Sequence, residues 1–370
     1  LVQEVSTKII INVSLSSWMN SKPRTRTTIS PRGHPPEFEQ VIREKSANFV
    51  GREFVFAAIN EFLSRQNRGY FTLVGTPGSG KSAILAKYVT EHPDVVYYNA
   101  QIEGKNQVDQ FLIALCNQLI NDYSLGYTSL PDNVTDGSWF LSLLLQKIGE
   151  QLEPNQRFMI AIDALDAIDL RSQTPGSNLF YLPRYLPNRI YFILSRRPFL
   201  REKSGLLIET PSQFFDLDAF PNENREDVQK YIDNNFKLLG QELLENIAGL
   251  CENNFMYLKS VGDAIASPLN QLPETLEAYY QQHWHKMKGE ELSAVELGVL
   301  QTLIAIPSME KDGISAQLIA ETIDEDEYEI EAVLEKWYEF LVKTEIDGEV
   351  CYSIYHSSFR DWLSQQINTD

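Results

Sequence analysis

The run Gly75-Thr76-Pro77-Gly78-Ser79-Gly80-Lys81-Ser82 places a lysine and a hydroxyl directly behind a glycine-rich turn, the spacing G-x-x-x-x-G-K-[ST] of a phosphate-binding loop. Gly75, Gly78 and Gly80 permit backbone angles closed to other residues, so the chain through Thr76, Pro77 and Ser79 can wrap closely around an anion. A helix starting near Ala83 turns its N-terminus toward the same anion. Lys81 supplies positive charge to the β- and γ-phosphates, and the Ser82 hydroxyl is placed to ligate Mg²⁺.

Such a loop needs an acid opposite it. Asp163 closes the apolar run Phe158-Met159-Ile160-Ala161-Ile162, and ligands gather at the carboxyl ends of buried parallel strands. Asp163 is therefore expected to face the loop and hold Mg²⁺ through water, as the acid of a Walker B strand does. A second run, Ile190 to Leu194, ends in Ser195-Arg196-Arg197-Pro198 and brings basic side chains to the same edge.

The elements that must position these residues are alternating strands and helices. Tyr70–Val74, Val95–Asn99, Phe158–Ile162, Ile190–Leu194 and Phe214–Leu217 read as strands, and Val108–Ile120 and Ser138–Leu152 carry apolar residues at helical spacing. From Asn222 the pattern is helical, through Asn224–Ile232, Glu242–Cys251 and Phe255–Ile265, to a helix opening at Leu272-Pro273-Glu274. That helix carries Tyr279, Tyr280, His283, Trp284 and His285. Its two histidines fall on different faces, which indicates a packed aromatic surface and not a metal site. Further helices precede two β-like runs around Asp347-Gly348, a hairpin signal, and a last helix follows, the order of a winged helix.

The expected fold class is α/β: a P-loop NTPase with a parallel sheet flanked by helices at 49–220, a small helical domain at 221–288 and a winged-helix domain at 289–370. Residues 1–48, with a candidate strand at Lys8–Val13, a basic proline-containing stretch and a helix start at Glu37–Lys45, read as an N-terminal extension or linker, or as the tail of an effector domain. The chain begins with Leu, which suggests a piece of a longer protein.

Of 370 residues, 43% are hydrophobic and 22% charged, a globular composition with no apolar run near the ~18 to 20 residues that cross a membrane. A cytoplasmic location is expected. Cys116, Cys251 and Cys351 lie far apart in apolar surroundings, which suits reduced core thiols. The formal net charge is −19, and Glu290 to Asp370 holds 19 acidic against 4 basic residues, a net of −15. That surface repels a phosphate backbone, so no specific nucleic-acid partner is expected.

Several stretches resemble one family. Phe49-Val50-Gly51-Arg52-Glu53 is similar to the hhGRE motif ahead of the phosphate loop in AAA+ and STAND ATPases, which implies a base pocket at Val50, Gly51 and Arg52. Ile162-Asp163-Ala164-Leu165-Asp166-Ala167 resembles the D-G/A-h-D-E signature of NACHT ATPases within the STAND class, with Ala167 where the family has its final Glu and Ala164 where AAA+ proteins carry a catalytic one. Asp166 is then the best remaining residue to orient the attacking water, with Asp169 a poorer one. Losing a general base costs about 10²- to 10⁴-fold in rate, so slow Mg²⁺-dependent ATP hydrolysis is expected. Ser195-Arg196-Arg197-Pro198 resembles the family's sensor 1, which implies a γ-phosphate contact for Arg197, or failing that Arg196. Tyr355-His356-Ser357-Ser358-Phe359-Arg360-Asp361-Trp362-Leu363 resembles the motif ending the family's winged helix, whose histidine reaches the β-phosphate of ADP.

The resemblance spans 49 to about 365 and implies an ATP/ADP-binding molecular switch. With ADP, His356 holds the chain closed; with ATP it opens and self-associates in response to a trigger, expected to be a protein. Bacterial relatives often act in defence or signal transduction. Two rivals stand beside this reading: an AAA+ ATPase of the replication-initiator type, and a nucleotide-binding scaffold without hydrolysis, suggested by Ala164 and Ala167.

Overall fold

The computed structural model describes residues 34–200, 204–236, 241–264, 274–305, 313–346 and 348–367. The candidate strand at Lys8–Val13 and most of the N-terminal extension lie outside these residues, as does Asp347 of the hairpin turn.

Five strands form one parallel sheet: β1 (Gly69–Val74), β2 (Val96–Asn99), β3 (Phe158–Asp163), β4 (Ile190–Arg196) and β5 (Ser212–Asp216), in the order β2-β3-β4-β1-β5. All six residues of β1 and all seven of β4 are buried. Such strands sit between helical layers, which explains why they read as continuous apolar runs without alternation. The helices are α1 (Pro36–Ser46), α2 (Glu53–Arg65), α3 (Lys81–Glu91), α4 (Val108–Tyr123) and α5 (Trp139–Gln151). Their apolar faces and the sheet share one core, centred on side chains such as Tyr70, Phe71, Phe111 and Phe192. This is an α/β fold, a parallel sheet flanked by helices. The register brings Val74 beside Arg196, and Ile162 beside Leu194. The phosphate loop, Asp163 and the Ser195-Arg196-Arg197 stretch therefore leave the sheet at one edge.

Next come α6 (Pro221–Asn235), α7 (Gln241–Leu250) and α8 (Phe255–Ala264), which enclose a small core of Val228, Ile232, Phe236, Ile247, Cys251 and Leu258. Helix α6 starts earlier than its apolar pattern suggests because Pro221 occupies its first turn, where a missing N–H costs nothing.

The C-terminal unit comprises α9 (Glu274–Lys288), α10 (Ala294–Ala305), β6 (Ile314–Ser315), α11 (Ala316–Ile323), α12 (Glu327–Lys336), β7 (Leu341–Ile346), β8 (Glu349–Ile354) and α13 (Ser357–Ile367). β6, β8 and β7 form an antiparallel sheet in that order. Trp337, Phe340, Phe359 and Trp362 anchor its core. Helix α9, which the sequence reading groups with the helical domain, contributes Leu276, Tyr280 and Met287 to this C-terminal core instead. Its aromatic face is packed as expected: Tyr280 lies against Phe359 and Trp362, and His283 against Phe340, Tyr355 and Phe359. Among the described residues no helix is long and apolar enough to cross a membrane.

Candidate functional site

β1 delivers the chain to Gly75 at the sheet's carboxyl edge, and α3 begins six residues later at Lys81. Between them Gly78 (φ 83°) and Gly80 (φ 96°) occupy the left-handed region that side chains disfavour. Gly75 does not share that conformation. Its requirement is room, because a Cβ there would stand 2.8 Å from Ser79 Oγ and 3.2 Å from Leu217 Cβ.

Lys81 Nζ donates to Gly75 O at 2.6 Å and Thr76 O at 2.9 Å. No carboxylate lies in ion-pair range of it among the described residues. Burial pulls its ammonium down to about 8, Asp166, Asp218 and Asp163 oppose this, and Arg197 adds to it. Ser79 Oγ is buried without a partner. A half-buried ammonium bonded to loop carbonyls, an unsatisfied hydroxyl and two left-handed glycines fit a polyphosphate. Ser82 and Ala83 sit half-buried in the first turn of α3. Ser82 and Asp163 are the hydroxyl and carboxylate that a Mg²⁺ ion would take here.

Asp163 is fully buried. Oδ1 accepts a short bond from Ser195 Oγ, and Oδ2 accepts from Tyr97 Oη and Asn99 Nδ2, each at 3.2 Å. Three donors from the two flanking strands, β2 and β4, thus fix one carboxylate, an arrangement that would suit an acid orienting a hydrated cation.

Arg197 and Asp166 meet each other. Asp166 Oδ1 accepts from the Arg197 N–H at 2.8 Å, and Oδ2 lies 3.4 Å from Arg197 Nε. Burial would raise the Asp166 carboxyl, but Arg197 and Lys81 hold it below the ordinary range. The other side of the guanidinium bonds Glu339 Oε2 at 3.0 Å, just before β7, and Lys286 Nζ of α9 bonds Glu339 Oε1 at 2.8 Å. The fallback residue, Arg196, turns away: it donates to Ser204 O and covers the Phe199 ring. Asp169 is also occupied elsewhere, capping a short helical turn and pairing with Arg171.

The outer face of the phosphate loop is held as well. Pro77 O accepts from Asn254 Nδ2 at 3.0 Å, Gly78 O from the Phe255 N–H at 2.9 Å, and Ser79 O from Arg52 Nη2 at 2.7 Å. Gly51 and Arg52 are both left-handed, and a Cβ on Gly51 would collide with the Asp227 carboxylate. The chain therefore passes tightly against α6. There the Arg52 N–H donates to Asp227 Oδ2 at 2.9 Å, and its guanidinium bonds Asn224 and lies 4.7 Å from the Phe255 ring centre. Burial lowers Arg52 to about 10, with Asp227 and Asp218 opposing. The guanidinium expected to face a base is thus engaged with protein, and half-buried Val50 precedes it.

His356 is buried, and Nδ1 accepts from the Ser358 N–H at 3.1 Å. An N–H can only donate, so Nδ1 carries no proton and Nε2–H is the donor to Cys251 O at 3.2 Å. Burial lowers its pKa, so the ring is neutral at pH 7. The histidine expected at a phosphate touches instead the turn between α7 and α8.

A cavity of about 150 Å³ opens at the loop, lined among others by Thr76, Ser79, Asp218, Asn224, Asn254 and Tyr355. Asp218 accepts from the Thr76 N–H at 3.0 Å. Sequence reasoning missed Asp218, Asn224, Asp227, Asn254 and Glu339. Asp218 alone left a signal, an acid just past a strand.

Residues 48–193 match the family model of the AAA ATPase domain. A Walker-type ATPase of Pyrococcus abyssi superposes at TM-score 0.53 and 16% identity, covering 85% of this chain and 96% of that one. An ORC structure from Drosophila, bound to DNA, gives 0.38 and 14% over 90% and 99%, and RuvB of Thermotoga maritima gives 0.36 and 13% over 88% and 99%. No curated protein sequence matches this one. Residues 48–193 are thus similar to P-loop ATPase domains of the AAA type.

Proposed function

We propose that the chain is a nucleotide-operated switch of the STAND/NACHT kind, which binds ATP or ADP with Mg²⁺ at the phosphate loop and hydrolyses ATP slowly. The observation that carries this reading is Arg197, bonded on one side to Asp166 of the ATPase domain and on the other to Glu339 of the C-terminal unit. In this arrangement the sensor arginine is withheld from a terminal phosphate, and the C-terminal unit does the withholding. The order of helices and hairpin in that unit supports naming it a winged helix.

Bound Mg²⁺ would neutralise charge on the phosphates. Lys81 and the loop amides would bind the anion, Ser82 and Asp163 would hold the hydrated cation, and Asp166, beside Arg197, is the residue nearest the role of water orienter. Ala164 and Ala167 leave no glutamate for that task, which supports slow turnover. A ligand moves such an equilibrium only through unequal affinity for the two states, typically ~1 to 3 kcal/mol.

The test is to denature the purified protein and identify its nucleotide, for wild type, His356→Ala and Glu339→Gln. ADP retained by wild type and exchanged faster in either variant supports the switch. Unchanged exchange in both variants removes closure from the account. The AAA+ initiator reading draws support from the AAA-type family match. Duplex DNA binding at moderate salt would favour it over the signalling switch.

A further inference from the structure

We infer that Asn254 is a positioning residue for nucleotide binding, holding the phosphate loop from behind in its anion-receiving conformation; this rests on the proposal that the loop binds ATP or ADP. Asn254 precedes α8 and its side chain is divided between two tasks. Oδ1 accepts from the Tyr257 N–H at 3.0 Å, which caps the helix, and Nδ2 donates to Pro77 O at 3.0 Å. The residue is buried, and its amide fills the space that a Cβ on Gly78 would need, 2.1 Å from Oδ1.

The consequence follows from peptide geometry. In a trans peptide the carbonyl and the next residue's N–H point in opposite directions. With Pro77 O drawn outward by Asn254, the Gly78 N–H turns inward. The same holds at Ser79, whose carbonyl Arg52 draws outward at 2.7 Å, leaving the Gly80 N–H inward. Between them Gly78 O is taken by the Phe255 N–H, and the Ser79 N–H closes a turn onto Thr76 O at 3.2 Å. With the Pro77 and Ser79 carbonyls held outward around a left-handed Gly78 and Gly80, the Gly78 and Gly80 amides are the ones left for phosphate oxygens.

Asn254 also joins the loop to the C-terminal unit. Its own N–H donates to Cys251 O at 2.6 Å, the carbonyl that His356 Nε2–H also reaches. Glu252 and Asn253, between these points, are both left-handed (φ 46° and 62°), and Glu252 accepts from the Ser357 N–H.

Asn254→Ser and Asn254→Asp separate the two tasks, because both keep an acceptor for the helix cap. The aspartate carboxylate has no proton to donate to Pro77 O, and the serine hydroxyl is one bond shorter than the amide that reaches it. Binding of a fluorescent ADP should weaken about fivefold to tenfold in both, the worth of one hydrogen bond. Melting of the nucleotide-free proteins should stay near wild type. Amide exchange should rise at 76–82 and remain unchanged in α8, a pattern that loss of a helix cap would not give. Should ADP binding in Asn254→Ser stay within twofold of wild type with exchange at 76–82 unaltered, Asn254 is only a cap and the inference fails. Wild type that binds no more ADP than Lys81→Ala would instead remove the nucleotide-binding reading itself, and this inference with it.

Discussion

The cores inside the three units and the contacts between them are built from different materials. Inside, the ATPase domain stacks Tyr70 on Phe192 and Phe71 on Phe215, and the C-terminal unit stacks Phe359 on Trp362. Between the units the named hydrogen bonds and ion pairs are Arg197 to Glu339, His356 to Cys251 O, Ser357 N–H to Glu252, and Asn254 and Phe255 to the phosphate loop, with a smaller apolar share from Met256 and Tyr257 of α8 against the C-terminal core. Apolar burial is additive and indifferent to direction, so it holds a unit together through any rearrangement. Hydrogen bonds net only about 0.5–1.5 kcal/mol each and can be exchanged for others, which suits surfaces that must part.

The comparison is broken most directly from the core side. Trp337→Ala removes a fully buried ring that also donates to Met287 O, and should cost about 3–5 kcal/mol in urea unfolding. Next in size is Arg52→Ala. It withdraws the cation that ties α6 to the loop, yet Lys230 remains 3.2 Å from Asp227. The loss should therefore fall below the ~3–5 kcal/mol of a stranded buried charge, while nucleotide affinity falls too.

A pH series probes Lys81. Phosphate binding favours the charged ammonium, whose ordinary value burial has lowered to about 8. Affinity for ADP should be level below that pH and decline above it, by at most about tenfold per unit. Stability of the nucleotide-free protein should move the other way: between about 8 and the ordinary lysine value the unfolded chain binds the extra proton, so stability rises with pH. Lys81→Met should abolish both trends. The smallest effect on folding is expected for Glu339→Gln, about 1 kcal/mol, because Arg197 keeps Asp166 and the new amide oxygen can still accept from the guanidinium. Its effect on nucleotide exchange should nevertheless be the clearest of the interface substitutions.

The same division explains what could be read beforehand. The strands at 70–74, 158–162 and 190–194 were legible because a sheet covered on both faces demands unbroken apolar runs, and the loop was legible because Gly78 and Gly80 must be glycine. Asp163 followed from its place at a strand end. Asn254, Asp227 and Glu339 were not legible. Each acts on a residue between 142 and 177 positions away, and nothing in the local pattern of an amphipathic helix or an acid-rich segment marks one polar residue as the partner. The fate of α9 was hidden for a related reason: its aromatic stripe fits either neighbouring core, and tertiary packing chose the C-terminal one. Gly75 shows a further limit, since a glycine kept for space looks the same in sequence as one kept for φ.

Glu339 stands between two cations, and Arg197 between two carboxylates. If the C-terminal unit swings away with α9, Arg197 stays at the sheet edge still holding Asp166, and Glu339 leaves still holding Lys286. Neither side is left with a naked ion. The joint therefore behaves less like a broken bond than like a clasp whose halves each close on themselves, so it can be parted and remade many times without either half drifting toward a wrong partner.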